Sequence, residues 1–211
     1  GGGPAGLSAA IAALKAGAKV TLIDRNAAPG GQLVKQTHMF FGSAKQHASA
    51  RGFDIAKLLL EELNQFGDRV DILTDSTALG LYEDGVLTVE KARRYLKIRP
   101  SAIIAATGAA EKYLPFPNND LPGIYGAGAV QTLMNQYGVA PGKSAVMVGA
   151  GNIGLIVSYQ LLQAGVKVKA VIDAAPRIGG YLVHAAKIRR AGVPIYTSTT
   201  VLHAHGKEEL E

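Results

Sequence analysis

The sequence predicts an α/β protein built from two successive three-layer units. Three observations support this fold class. The turn motif G-x-G-x-x-G occurs twice, beginning at Gly1 and at Gly149. Each turn leads into a segment with the apolar spacing of a helix, and each helix is followed by an apolar strand ending in an aspartate, Asp24 or Asp173. This order of elements is typical of Rossmann-like dinucleotide-binding units.

The first turn carries glycine at positions 1, 3 and 6, with Pro4 inside it. In this motif the glycines serve a tight turn, a close approach of backbone to a pyrophosphate, and close packing of helix on strand. The helix N-terminus adds free N–H groups and a partial positive charge. Proline suits the first helical turn, where its missing N–H has no helical partner.

The helix after this turn places Leu7, Ile11 and Leu14 on one face and ends near Gly17. Residues 19–23 are then predicted to form a buried strand. The strand ends at Asp24, where the hydroxyls of a bound ribose need an acceptor. The strand that would lead into the first turn is not in the sequence, so the first unit is expected to be incomplete.

The middle of the chain is predicted to hold a loop at 25–52, an amphipathic helix at 53–67 and a short strand at 68–74. Residues 76–99 alternate in the manner of a three-stranded antiparallel meander, with an Asp-Gly pair at one hairpin turn. Residues 101–106 are predicted to form a buried parallel strand.

The second unit is predicted to begin after a proline-rich connector. A helix is expected over about 127–137, and the apolar strand 145–148 runs directly into the second motif, Gly149, Gly151 and Gly154. The domain boundary is placed between residues 113 and 114, which divides the chain into units 1–113 and 114–211.

An internal repeat connects the two motifs. Positions in the first unit recur 148 residues later as the same amino acid: Gly1, Gly3, Gly6, Leu7, Ala16, Gly17, Lys19 and Val20 recur as Gly149, Gly151, Gly154, Leu155, Ala164, Gly165, Lys167 and Val168. With one extra residue, Asp24, Gly30, Gly31 and Leu33 recur as Asp173, Gly179, Gly180 and Leu182. The repeat predicts a duplicated dinucleotide-binding unit.

The amino-acid composition excludes several kinds of site and partner. The 211 residues contain no cysteine, which excludes disulfides, cysteine-ligated metal sites and a redox-active dithiol within them. The net charge of +6 is spread along the chain, so we predict no nucleic-acid partner. No apolar run is long enough for a membrane span and no signal peptide is visible, so a cytoplasmic location is expected.

These motifs together resemble the FAD-dependent pyridine nucleotide-disulfide oxidoreductases, flavoproteins with two dinucleotide-binding domains. The resemblance places FAD on the first unit and NAD(P)H on the second. It implies that the FAD pyrophosphate is held by Gly1, Gly3, Pro4, Ala5 and Gly6, and the adenosine ribose by Asp24, where the family more often has Glu. It further implies backbone or loop contacts to FAD from Arg25, Gly31, Gln32, Thr107 and Gly108. In the second unit the matching residues are Gly149, Gly151, Asn152, Ile153, Gly154 and Asp173.

A narrower likeness is carried by residues 106–143 and 179–194. These stretches are similar to cysteine-free members of the family, including α-subunits of opine, sarcosine and dye-linked proline dehydrogenases. The absence of a C-x-x-C motif argues against a thioredoxin reductase. Compared with the family, the first strand and the C-terminal return segment of the FAD unit are missing. The 211 residues alone are therefore expected to hold FAD weakly or not at all.

The leading functional hypothesis is an FAD-dependent oxidoreductase that passes hydride or electrons between a small organic substrate or partner subunit, FAD and NAD(P)H. A homo-oligomer is the other expected assembly. Two alternatives stay open: a non-catalytic nucleotide-binding subunit, and a second unit that binds another adenine nucleotide. NADH is favoured over NADPH because Asp173 would repel a 2′-phosphate, although Arg177 lies nearby in sequence. No catalytic residue and no metal site are predicted; His38, His47, His203 and His205 are interpreted as ordinary surface or loop residues.

Overall fold

The computed structural model describes residues 1–40 and 43–211, so residues 41 and 42 of the predicted loop lie outside the described residues. The chain forms two compact units, Gly1–Ala110 and Glu111–Glu211. The predicted α/β fold class is confirmed, because each unit combines helices with parallel strands. No helix in the described part of the chain is long and apolar enough to cross a membrane.

The first unit has two α-helices and five strands among its described residues. In chain order they are α1 (Pro4–Lys15), β1 (Val20–Ile23), α2 (Gly52–Asn64), β2 (Val70–Leu73), β3 (Ser76–Leu81), β4 (Leu87–Lys91) and β5 (Arg94–Ile98). Strands β1 and β2 are parallel, with Val20 opposite Val70. Strands β3, β4 and β5 form the predicted antiparallel meander. Short 3-10 turns occupy Gly31–Lys35, Ala44–Gln46 and Gly67–Arg69.

The core of the first unit lies between α1, α2 and the parallel pair. Leu7, Leu14 and Leu63 are fully buried, and Leu22 of β1 packs against them. Removing each such side chain from water contributes about 1.5–3 kcal/mol to folding. The apolar spacing read from the sequence is therefore the packing face of α1, and this packing fixes the position of the turn that precedes the helix.

The prediction of a buried strand at 101–106 is wrong. These residues join no β-ladder, and Ile103 and Ile104 are 44% and 63% exposed. A buried parallel strand needs a hydrogen-bonded neighbour on at least one side. Among the described residues, β1 is paired only with β2, and no strand runs alongside this segment. Apolar composition is therefore not sufficient to make it a strand here.

The second unit has three helices and three strands among its described residues. They are α3 (Ala127–Tyr137), β6 (Ser144–Val148), α4 (Asn152–Gln163), β7 (Lys167–Ile172), α5 (Leu182–Arg190) and β8 (Ile195–Tyr196). The strands form one parallel sheet in the order β6-β7-β8. The fully buried side chains Leu155, Val171 and Ile188 join α4, the central strand and α5 in one core.

Candidate functional site

The two glycine turns have nearly the same backbone geometry. Gly3 precedes α1 with φ −74° and ψ −176°, and Gly151 precedes α4 with φ −74° and ψ 177°. A Cβ on Gly6 would overlap the carbonyl oxygen of Gly1, and one on Gly154 would overlap that of Gly149. The last glycine of each motif is therefore required by the fold itself, because the helix passes directly against the start of the turn.

Gly151 is different, because nothing in the chain requires a glycine there. Its φ is accessible to any residue, and a Cβ built on it meets no atom within 4 Å. Gly3 has the same conformation, and a Cβ on it would make only an ordinary 3.7 Å contact with Gly31. The space over both positions is open and adjoins the N-terminus of a helix. A ligand that brings an anionic group close to the backbone fits this space.

The Asp24 carboxylate lies against the first turn. Its Oδ2 accepts a hydrogen bond from the backbone N–H of Gly2 at 2.5 Å. Its Oδ1 accepts from the backbone N–H and the side-chain Nδ2 of Asn26, both at 2.8 Å. Asp24 is only 6% exposed. The side chain predicted to meet a ribose therefore also joins the end of β1 to the glycine turn, a role that the sequence pattern does not reveal.

Asp173 repeats this arrangement in the second unit. Its Oδ2 accepts from the backbone N–H of Ala150 at 2.6 Å, and its Oδ1 from that of Ala175 at 2.8 Å. Asp173 is half-buried, whereas Asp24 is buried. A carboxylate has about four lone-pair positions, and two are engaged by Asp173 in these bonds. The carboxylate therefore retains acceptor capacity toward a ligand.

A second glycine pair, Gly30-Gly31 or Gly179-Gly180, is hydrogen-bonded to the backbone of each turn. The N–H of Gly30 donates to the carbonyl of Gly2 at 2.7 Å, and the N–H of Gly180 to that of Ala150 at 2.9 Å. Gly31 has φ 53°, and a Cβ on it would lie 2.6 Å from the Cα of Gly3. The predicted site residue Gly31 is thus close to the turn. Its neighbour Gln32, and Arg25 beyond Asp24, are exposed.

The other residues predicted for the first site lie along the same turn. Pro4 occupies the first position of α1 and Ala5 follows it, both exposed. A Cβ on Gly1 would overlap the carbonyl oxygen of Ala106, so the segment before Thr107 passes directly beside the turn. Gly108 has φ 77°, a conformation that favours glycine. Both Thr107 and Gly108 are exposed and within the same unit as the turn.

In the second site, Asn152 and Ile153 form the start of α4. The Oδ1 of Asn152 accepts the backbone N–H of Tyr181 at 2.8 Å, which joins the start of α4 to the start of α5. Ile153 is 54% exposed beside the turn. The contribution of Tyr181 comes through its backbone, so no residue-type signal in the sequence could have identified it.

The histidine side chains make none of the contacts described above. His47 has φ 58° and lines a cavity of about 520 Å³ between α1 and α2. The rings of His203 and His205 have centroids 3.9 Å apart, and both residues are exposed. In the part of the chain that the structure describes, no group of three or more His, Asp or Glu side chains is arranged to hold a metal ion.

His184 is the one histidine in the core of the second unit. It lies on α5 and is 7% exposed. Burial lowers the pKa of its imidazole, and the nearby positive charge of Lys187 lowers this pKa further. The folded state therefore favours the neutral ring. At mildly acidic pH the unfolded chain binds a proton there that the folded chain does not.

We expect the second unit to lose stability as the pH falls below about 6.5, the pKa of an unperturbed histidine. The pKa of His184 is lower in the folded chain than in the unfolded chain. The stabilisation that comes from the neutral ring is therefore fully present above a pH of about 6.5 and declines as the pH falls toward the folded pKa. Urea unfolding at several pH values from neutral to mildly acidic measures the decline. His184→Leu should flatten it, and His203→Gln, at an exposed site, should not. An unchanged pH dependence in His184→Leu would show that another group causes it.

The family profile described as pyridine nucleotide-disulphide oxidoreductase matches residues 1–211. The chain is 34% identical to the alpha chain of the sarcosine oxidase of Rhizobium meliloti over 208 residues, covering 92% of this chain and 20% of that protein. It is 30% identical to one of the subunits of the opine oxidase of Agrobacterium tumefaciens over 193 residues, covering 87% of this chain and 38% of that protein.

Among solved structures, the L-proline dehydrogenase from P. horikoshii matches with a TM-score of 0.74 and 25% identity, covering 100% of this chain and 36% of that one. The chain thus spans between one fifth and two fifths of the length of these relatives. The predicted resemblance to FAD-dependent, cysteine-free oxidoreductases is confirmed by these matches. The chain belongs to the pyridine nucleotide-disulphide oxidoreductase family.

Proposed function

We propose that this chain is the two-nucleotide module of an FAD-dependent oxidoreductase, with FAD on the first unit and a nicotinamide nucleotide on the second. In this proposal, hydride or electrons pass between a small organic substrate or partner subunit, FAD and NAD(P)H. The observation that carries it is the open space over Gly3 and Gly151. The fold requires glycine at neither position, and the approach of a ligand to the backbone is the reason that we propose for both.

The residues present fit an FAD pyrophosphate at the first turn. The backbone from Gly3 onward offers N–H groups at the start of α1, and Gly1, Pro4, Ala5 and Gly6 leave the approach free of bulky side chains. When bound, FAD supplies the redox chemistry. The chain's contribution is to orient the cofactor. Asp24 holds the turn through its bond to the N–H of Gly2. In this proposal the exposed residues Arg25, Gln32, Thr107 and Gly108 contact the cofactor.

The second turn has the same features without a proline. Gly149, Gly151, Asn152, Ile153 and Gly154 form the proposed contact surface for the second pyrophosphate. Asp173 lies beside them as an acceptor for ribose hydroxyls. Its backbone bonds orient the carboxylate, which keeps its charge fixed near the position that an adenosine ribose would take.

We expect this second site to prefer NADH to NADPH by several-fold. Two like charges about 4 Å apart cost about 1 kcal/mol in water and more at a half-buried site. Titration of the full-length protein with each nucleotide measures the ratio. Asp173→Asn keeps the shape of the side chain while removing its charge, so it should reduce the preference. Arg177→Ala is the matched control, because this exposed cation would favour the 2′-phosphate and its loss should increase the preference. Preference for NADPH in the wild type would contradict the role of Asp173.

A partner subunit is part of the proposal. The sarcosine oxidase and opine oxidase relatives named above are themselves single components of multi-subunit enzymes. Because these relatives are named for the oxidation of sarcosine and of opines, small amino-acid derivatives are the first substrates to test. The alternative is a chain that binds nucleotides without catalysis.

One experiment separates these functions. The full-length protein, purified with any bound partner, is examined by its visible absorbance before and after anaerobic NADH. Bleaching of a stoichiometric flavin band supports electron transfer between both sites. A flavin band that is bleached by a substrate but not by NADH supports a second unit that binds another adenine nucleotide. Titration with ATP tests this alternative directly. A protein that binds nucleotides without any bleaching would be non-catalytic.

A further inference from the structure

The rings of two exposed histidines lie side by side in the second unit. The centroids of the His203 and His205 rings are 3.9 Å apart, and the ring planes are inclined by 51°. Ala204 between them is only 5% exposed. The two imidazoles therefore lie on the outer side of this segment, while Ala204 faces the protein. The sequence shows only the spacing of the two histidines, and the structure shows that their rings meet in space.

The backbone that carries the two rings is held on both sides. The N–H of Ala204 donates to the carbonyl of Pro117 at 3.0 Å, and the carbonyl of Ala204 accepts from Nδ2 of Asn118 at 2.9 Å. Asn118 has φ 63°, a conformation in which asparagine is enriched among residues other than glycine. Both polar groups of the Ala204 backbone are therefore engaged, and the histidines on either side of it start from a fixed point.

The segment after the histidines is attached in the same way. The N–H of Leu210 donates to the carbonyl of Pro122 at 2.9 Å, and the N–H of Glu211 donates to the carbonyl of His205 at 3.0 Å. Gly206 has φ 149°, and a Cβ on it would overlap a carbonyl oxygen of the same turn. The chain thus turns tightly directly after His205. Hydrogen bonds before and after this turn fix the position of the second histidine relative to the first.

Packing does not account for the contact between the rings. Aromatic rings that meet in a core are brought together by the exclusion of water, whereas both of these histidines are exposed. Side chains that are held together at a surface also lose rotamer freedom. Two ring systems placed side by side on an ordered, exposed backbone are instead suited to a ligand that binds both of them.

Two imidazoles together are ligands for a divalent transition-metal ion. A neutral ring offers one nitrogen lone pair, and imidazole suits Zn²⁺, Ni²⁺ and Cu²⁺, whereas Mg²⁺ and Ca²⁺ prefer oxygen. A histidine nitrogen lies about 2.0–2.1 Å from bound Zn²⁺, so two nitrogens on one ion are about 3 Å apart. Rings whose centroids are 3.9 Å apart can reach this separation by rotation of the side chains alone. Because the backbone is already fixed, binding orders only two side chains.

We propose that His203 and His205 form a two-histidine site for a divalent cation of the Zn²⁺, Ni²⁺ and Cu²⁺ class. In the described part of the chain no third His, Asp or Glu joins the pair, so water completes the coordination of the ion. Structural zinc sites have four protein ligands and catalytic ones three. We therefore expect an ion that exchanges with solvent. Neither histidine is assigned to a nucleotide, so the site stands independently of the proposed function.

The test is calorimetric titration of the full-length protein with NiCl₂ in a buffer without chelators. We expect His203→Gln and His205→Gln each to raise the Kd of one Ni²⁺ equivalent at least tenfold, because one of two protein ligands is lost. His47→Gln removes a histidine of the first unit and is the matched control, which should leave this Kd unchanged. Equal Ni²⁺ affinity in the wild type and in both variants would overturn the site.

A second control separates imidazole from carboxylate ligands. Glu208 and Glu209 are exposed in the turn that follows the pair, and their negative charge attracts any cation weakly, as exposed charges do. Glu208→Gln and Glu209→Gln should therefore each change the Kd for Ni²⁺ less than threefold. A larger loss in either of them than in the histidine variants would assign the ion to the carboxylates and overturn the histidine site.

A rearranged pair tests the geometry. The double variant Leu202→His, His203→Leu keeps the number of histidines and moves one imidazole by one residue. Adjacent side chains of an extended segment point to opposite sides, so Ni²⁺ affinity should fall as far as in His203→Gln. Electron paramagnetic resonance with one equivalent of Cu²⁺ should show two ring nitrogens on the ion in the wild type and fewer in the double variant. Wild-type affinity in the double variant would show that paired rings are not required, and would overturn the site.

Discussion

Gly151→Val is expected to lower the affinity of the second unit for its nucleotide at least about 100-fold, or ~2.7 kcal/mol. A branched side chain would fill the open space over the turn, where the ligand's pyrophosphate must approach the backbone. The fold should survive, because the φ of Gly151 suits valine and its Cβ meets no other atom. Replacing glycine before α4 costs about 1 kcal/mol of helix capping at most. Calorimetric titration of the full-length protein with NADH measures the loss.

Two glycines provide matched controls for this substitution. Gly142→Val also places its Cβ in nearly open space, but in the turn before β6, so binding and stability should be unchanged. Gly154→Val should unfold the second unit, since its Cβ would overlap the carbonyl of Gly149. Unchanged NADH affinity in Gly151→Val, with a folded protein, would mean that the second turn holds no pyrophosphate.

Asp24→Ala is expected to destabilise the first unit by about 1–3 kcal/mol even in the absence of any nucleotide. The substitution removes the acceptor for the N–H of Gly2, which is buried, and for both donors of Asn26. Buried donors left without partners cost about 1–3 kcal/mol each. Urea unfolding of the nucleotide-free protein, followed by circular dichroism, measures the effect.

Asp71→Ala is the matched control, because Asp71 is an exposed aspartate on the neighbouring strand β2 and its loss should cost little. Asp24→Asn is the second comparison. It keeps the shape of the side chain and one acceptor, so its cost should be intermediate. If Asp24→Ala unfolds at the wild-type urea concentration and only FAD binding weakens, then the carboxylate serves the ligand and not the turn.

The two aspartates separate what a sequence pattern can predict from what it cannot. The sequence predicts each from its place at the end of a strand, about 23 residues after the motif, and the structure has them beside the turns. Their bonds to Gly2 and Ala150 could not be predicted, because they depend on the path of the turn and not on residue type. Their contact with ribose, like the assignment of FAD and NADH to the two units, stays a prediction.

Local patterns determined the helices and the meander. Leu7, Ile11 and Leu14 repeat at helical spacing, and each is buried, since a stripe of this kind has only one face to pack. The Asp84-Gly85 pair fixed the hairpin between β3 and β4, because the turn is a short-range property of two residues.

Tertiary structure determined which segments pair as strands. Residues 101–106 have the composition of a strand but lack a neighbouring strand among the described residues. A strand is stabilised by a partner that is distant in sequence, so its existence cannot be decided from its own residues. A glycine turn before an amphipathic helix needs no such partner, which is why the sequence alone determined both motifs.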